Sequence, residues 1–254
     1  MAPENGMADV FDTKTQAWLR YTASPAGRLR HIAIMHHLGL HISDPPLDIL
    51  DVGGGTGEQA LDLARDGHAV TLLDISPAMI DHARSHGDGL SMAFRCASAG
   101  QIPALFEPES FDCVLCHSLL EFVSDPSQLL GDMMRVLRAG GLLSVVVGNR
   151  CHFPLRAALV KHDFRQAQRA LDAELPTTDL FGLPRRTYTP RDARLLVRAC
   201  GAQLRGEYGV RLFIDLLDRE ADVTQDLIAL ELAAGARTPY RHMARFIQFI
   251  GAKG

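Results

Sequence analysis

Two rhythms of apolar residues run through this chain. Short runs around 47–52, 68–73, 90–96, 111–116, 142–147, 203–208 and 244–250 are dense enough in apolar residues to read as strands, with 142–147 as a central one. Between them, apolar positions recur every three or four residues, which predicts helices over 57–66, 77–85, 126–138, 190–200 and 224–234. The second of these opens on Ser76-Pro77, and the third is stopped by Ala139-Gly140-Gly141. Ahead of the first strand the pattern predicts helices over 14–20 and 25–39, the latter capped by Ser24-Pro25, and leaves 1–12 disordered. After Asn149 the alternation breaks into a helical stretch near 154–172 and a Pro/Thr/Gly-rich loop, 176–190. Strands alternating with helices predict an α/β fold, a seven-stranded mostly parallel sheet with helices on both faces. Residues 1–45 form an N-terminal helical segment, 46–254 the main domain, and about 150–189 a cap over its rim.

The loop after the first strand carries the first chemistry. Asp51-Val52-Gly53-Gly54-Gly55-Thr56-Gly57 joins a strand to a helix, with bare backbone and free helix N–H groups facing any ligand there. A plain structural turn shares that pattern. The second strand, however, ends on Asp74, about twenty residues on, where a carboxylate binds ribose hydroxyls. Together they point to an adenosine-containing cofactor. Glutamate at 58 in place of the last fingerprint glycine, and the acid at 51, favour S-adenosylmethionine over NAD. Ligands bind beyond the carboxyl ends of such strands, which gathers the glycine loop, Asp74, Ala97-Ser98-Ala99 and His117 on one rim.

Composition narrows the class. No run of about twenty apolar residues exists, so no membrane span is expected. The polar N-terminus lacks a signal core, and five cysteines argue against a disulfide framework, so the expected place is the cytoplasm. Cys113 and Cys116 lie three apart in a strand and face opposite ways, so no metal site is expected. His31, His36, His37 and His41 read as a solvated helix flank. Arg28 and Arg30 sit where cations oppose the helix dipole, which hints at an anionic partner. The segment Arg185 to Arg211 holds seven arginines against Asp192 and Glu207, a balance of +5 in a chain of −4. Such a segment suits nucleic-acid phosphates, or salt bridges to the acidic remainder.

The chain resembles the Rossmann-like class I S-adenosylmethionine-dependent methyltransferases, and within them the bacterial tRNA 5-carboxymethoxyuridine methyltransferase family. The resemblance runs nearly end to end. It rests on Phe11-Asp12, Gly27-Arg28-Leu29-Arg30, Asp51 to Gly57, Asp74-Ile75-Ser76, Cys96-Ala97, His117, Leu120-Glu121, Asn149, Gly209-Val210-Arg211, Leu230-Glu231-Leu232 and Pro239-Tyr240. It implies cofactor contacts from Arg30, the Gly53-Gly54 backbone, Asp74, the Ser98-Ala99 backbone and His117. The motifs add Asp51, Gly55 and Ile75. The chain departs from the family at Ser98-Ala99 and in the loop 175–182, which has no lysine.

The implied reaction is methylation of a carboxylate on a modified wobble uridine of tRNA, for which no strong base is needed. A cation must then hold the acid, and Arg211 or Arg185-Arg186 suits that role. A hydroxyl or amine acceptor requires a base, for which His117 is the candidate, with Glu121 a helix residue beside the pocket. A competing reading is a small-molecule O-, N- or C-methyltransferase whose cap is lined by Phe153, Phe164, Phe181 and Tyr188; a third is a cofactor-binding protein without chemistry, or an NAD enzyme.

Overall fold

The computed structural model describes residues 4–42, 46–172, 177–178, 180–217 and 222–254. Two helices, α1 (Glu4–Ala23) and α2 (Pro25–Gly39), lead into β1 (Asp48–Val52), α3 (Glu58–Arg65), β2 (Ala69–Asp74), α4 (Pro77–His86) and β3 (Met92–Cys96). A short α5 (Ile102–Leu105) precedes β4 (Phe111–His117), α6 (Pro126–Val136) and β5 (Leu137–Gly148). The cap holds α7 (His152–Leu159), α8 (Phe164–Asp172), β6 (Thr177–Thr178) and β7 (Pro184–Arg185). Then come α9 (Pro190–Ala199), β8 (Ala202–Val210), α10 (Gln225–Gly235) and β9 (Phe246–Lys253).

The seven-stranded sheet runs β3-β2-β1-β4-β5-β9-β8. Neighbours from β3 to β5 are parallel, and β9 enters antiparallel between β5 and β8. The chain order reverses beside β1, between β2 and β4. At this switch point the carboxyl ends part and leave a crevice. Alternate residues of each strand feed two cores. Leu50, Val52, Val114 and Cys116 pack with α6 and α9; Ile49, Leu72, Cys113 and Leu115 pack with α2, α3 and α4. The two cysteines therefore lie in different cores, as their spacing requires. Burial pushes the Cys113 thiol up to about 12 and raises that of Cys116 well above the ordinary range, so both are inert thiols.

Several expectations fail for tertiary reasons. From residue 4 the segment expected to be disordered is the start of a 20-residue helix, α1. Its own periodicity is weak; it is held from outside. Asp12 accepts from Ser76 Oγ and from Ala78 N (3.1 Å) at the start of α4, and Phe11 meets Phe122 and Phe181 edge-on. The stretch 154–172 is two helices, because the chain turns through His162 at a φ of +52°. α6 stops at Val136 rather than Arg138, because Leu137 already pairs with Phe111 ahead of a bulge that brings Leu142 opposite Cys113. His36 is exposed, but His37 is buried, stacked on Tyr208, so these histidines are not all a solvated flank. Among the described residues no helix is long and apolar enough to cross a membrane.

If Asp12 ties α1 to α4, Asp12→Ala removes an N-terminal capping acceptor. The expected loss is about 1 kcal/mol, seen as a fall of about 2–4 °C in Tm by thermal denaturation.

Candidate active site

A cavity of about 960 Å³ opens at the crevice, at the upper end of the range for a small-molecule site. Its floor is the strand ends and its roof is α1, through Phe11, Trp18 and Tyr21, with Phe181 stacked on Trp18.

The glycine loop takes its shape from Asp74. One carboxylate oxygen accepts from Gly55 N (2.8 Å) and the other from Ser76 N (2.9 Å), which ties the β1 loop to the β2–α4 turn. Gly53, Gly55 and Gly57 all have positive φ. A side chain at Gly54 would put its Cβ 2.6 Å from Asp51 Oδ2. That Oδ2 is buried with no hydrogen-bond partner and belongs to a residue of the cavity wall. Burial, and then Asp74 and Glu58, push the Asp51 carboxyl up to about 7, against the pull of Arg30. A wanting carboxylate, a glycine loop and a buried arginine, Arg30, whose one side-chain hydrogen bond to the described residues is to Ser118 Oγ (3.0 Å) suit an amino-acid zwitterion joined to a ribose. Ile75, Ser98 and Ala99 line the same end.

His117 closes β4 and lines the cavity. It ends a buried polar chain. The Gln248 side chain turns its nitrogen to the Ile34 carbonyl (3.3 Å), which only accepts, and to Ser144 Oγ (3.2 Å). Its oxygen faces His37 Nδ1 (3.2 Å). Ser144 Oγ lies 2.9 Å from His117 Nε2, as donor or acceptor according to the histidine's tautomer. Burial, and then Arg30 and His31, depress the His117 pKa to about 3. The imidazole is therefore neutral and weakly basic, with Nε2 on Ser144 and Nδ1 without a hydrogen-bond partner among the described residues.

Glu121 is not helical, as the sequence reading had it. It lies in the turn after β4, its Oε1 accepting from Gly148 N (2.8 Å) and its buried Oε2 without a hydrogen-bond partner among the described residues. Burial raises its pKa.

Arg211 is 5% exposed and lies outside the cavity lining. At a φ of +65°, it donates to Tyr21 Oη (2.6 Å) and Asp215 Oδ1 (2.5 Å). It stands one layer behind Tyr21, so the direct carboxylate clamp expected of it is not at the wall. Arg156, Arg185 and Arg245 are, and sequence reasoning named only Arg185. Of the aromatics expected to line the cap, Phe181 does. Tyr188 is in the core, donating to Leu120 O (3.0 Å); Phe164 is 70% exposed; Phe153 faces the Arg185 guanidinium. Part of the lysine-free loop, 175–176 and 179, lies outside the described residues. No cluster of metal-ligating groups occurs among the described residues.

The sheet order, the crevice at the switch point and this loop define a class I S-adenosylmethionine-dependent methyltransferase. Residues 50–145 match a methyltransferase domain family model. The whole-chain fold is similar to a possible histamine N-methyltransferase of Thermotoga maritima (18% identity, TM-score 0.66, covering 97% of this chain and 99% of that one). It is similar also to magnesium protoporphyrin IX methyltransferase of Synechocystis PCC 6803 with bound S-adenosylhomocysteine (14% identity, TM-score 0.65, 99% of each). In sequence, the chain is 30% identical over 238 residues, 89% of each chain, to the tRNA 5-carboxymethoxyuridine methyltransferase of Escherichia coli K12. It therefore belongs to that methyltransferase family, and its cofactor is S-adenosylmethionine. A ubiquinone biosynthesis O-methyltransferase of Xylella fastidiosa is 34% identical over only 46% of this chain.

If Asp51 receives the cofactor's ammonium, its ionised form binds. Since the free carboxyl titrates near 7, acidification below that pH is expected to weaken S-adenosylhomocysteine binding, approaching tenfold per pH unit, by calorimetry. Asp51→Asn should bind more weakly and lose that dependence. Asp74→Ala is expected to weaken binding tenfold or more at every pH.

Proposed function

We propose that the protein esterifies the carboxylate of a modified wobble uridine in tRNA. The cofactor supplies a methyl group on a sulfonium. Arg30 and Asp51 hold its amino-acid end, Asp74 its ribose, and the backbone at 53–55 and 98–99, with Ile75, its remaining edges; His117 meets the cofactor beside them. The observation that carries the reading is the makeup of the acceptor wall. It presents arginines, while burial makes the histidine at the end of β4 a weak base, its pKa depressed to about 3. A carboxylate is already an anion at neutral pH, so this chain need only position it and exclude water. The full-length likeness to a tRNA methyltransferase supports the same choice.

The basic segment supports a tRNA partner in part. Arg194 is neutralised by Glu207 through two 2.8 Å bonds, and Arg211 by Asp215. Arg191, Arg198 and Arg205 are exposed on α9 and β8 without an ion pair to the described residues, and meet phosphates. A cytoplasmic location follows from the substrate.

A second reading, a small-molecule methyltransferase acting on a hydroxyl or amine, is favoured by one observation: the unpartnered Oε2 of Glu121, a carboxyl raised by burial and placed at the wall.

Labelled cofactor and tRNA bearing 5-carboxymethoxyuridine separate the two. The expected label enters tRNA, is released by mild alkali as an ester, and enters more slowly as salt rises. Glu121→Gln is expected to keep turnover within about threefold; a loss of a hundredfold or more marks a general base and the second reading. Alkali-stable label, or none in tRNA, overturns the proposal.

A further inference from the structure

The arginines around Phe246 differ in what they hold. Three guanidiniums pack on its ring: Arg30 at 5.2 Å, Arg211 at 5.7 Å and Arg245 at 5.7 Å. Arg30 has Ser118, and Arg211 has Tyr21 and Asp215. The Arg245 guanidinium makes no hydrogen bond to the described residues. Its one carboxylate neighbour is Asp215 Oδ1 at 3.9 Å, and that oxygen already sits 2.5 Å from Arg211. The other acid nearby, Glu231, turns both oxygens to the backbone N–H groups of Leu212 and Ile214. Two arginines thus share one carboxylate, and the less satisfied one lines the cavity with a quarter of its side chain exposed.

We infer that Arg245 is the acceptor-anion site of this enzyme: its guanidinium takes the carboxylate of the acceptor, while Arg211, Asp215 and Tyr21 form the buttress that positions it. The link is short. The Arg245 backbone N–H donates to Arg211 O at 2.7 Å, and Asp215 touches both guanidiniums. Burial, with Arg211 and Arg185, lowers the Arg245 pKa to about 10, so the group stays charged at neutral pH while its surroundings favour an incoming anion. A guanidinium presents a planar fork that fits a carboxylate with two bonds, and one that only shares a distant carboxylate with a second arginine gains most from doing so. Arg211 then matters for the same chemistry that the sequence suggested, one layer further back.

The inference rests on the proposed carboxylate acceptor, so its test uses binding of probes that are not tRNA. Trp18, the chain's one tryptophan, lines the cavity and reports occupancy by fluorescence. In protein loaded with S-adenosylhomocysteine, phenoxyacetate is expected to bind at least tenfold more tightly than its neutral amide. Arg245→Gln should abolish that preference and leave S-adenosylhomocysteine affinity within twofold. Arg245→Lys, which keeps the charge and guards against a Gln variant that does not fold, should bind phenoxyacetate at least fivefold more weakly than wild type. No preference in the wild type, or either variant binding phenoxyacetate as the wild type does, overturns the site. A preserved preference with no labelling of tRNA sinks the proposed substrate alone; ester formation on tRNA with no role for Arg245 sinks this inference alone.

Discussion

The carboxylate of Asp74 joins parts of the chain that are far apart in sequence. It pins the glycine loop through Gly55 N and the start of α4 through Ser76 N. Ser76, in turn, donates to Asp12 on α1. Loop, turn and roof thus hang on one buried acid. A buried carboxylate is costly unless it accepts hydrogen bonds, and here the backbone supplies them, opposing the rise in pKa that burial imposes. The same carboxylate lines the cavity.

Charge along the cavity wall is mixed. Asp51 and Asp74 stand at the ends of β1 and β2, and Arg156, Arg185 and Arg245 join the lining from elements after β5, but Glu58, Glu121, Asp125 and Asp132 line it too. Glu121 acts on Arg185 across the wall, so the field a ligand meets depends on which of these acids is ionised.

The strands and the glycine loop were legible because buried parallel strands and close backbone approach restrict residue choice strongly. Cys113 and Cys116 were read correctly from the two-residue period alone. What failed was whatever depended on partners distant in sequence. Nothing in the local periodicity marks Met7 and Phe11 as the start of a roof; the ring partners of Phe11 are Phe122 and Phe181. Arg211 carried the right motif, yet its depth is set by Tyr21 and Asp215. Arg245 gave no signal beyond standing before Phe246 in the last strand, whose antiparallel entry places it beside Asn149. His117 was placed at the cavity, but its weak basicity comes from burial and from Arg30 and His31 on α2, which no local pattern marks.

That polar chain also restricts how the sequence can drift. His37, Gln248, Ser144 and His117 come from α2, β9, β5 and β4, and each satisfies the next inside an apolar core. Replacing one leaves a neighbour buried with a lost partner, whereas replacing the inner members together by apolar residues of similar shape is nearly neutral for folding. The four positions are therefore expected to be inherited as a block. A descendant that has lost Gln248 alone would have to regain it, or shed Ser144 and leave His117 Nε2 to find a new partner.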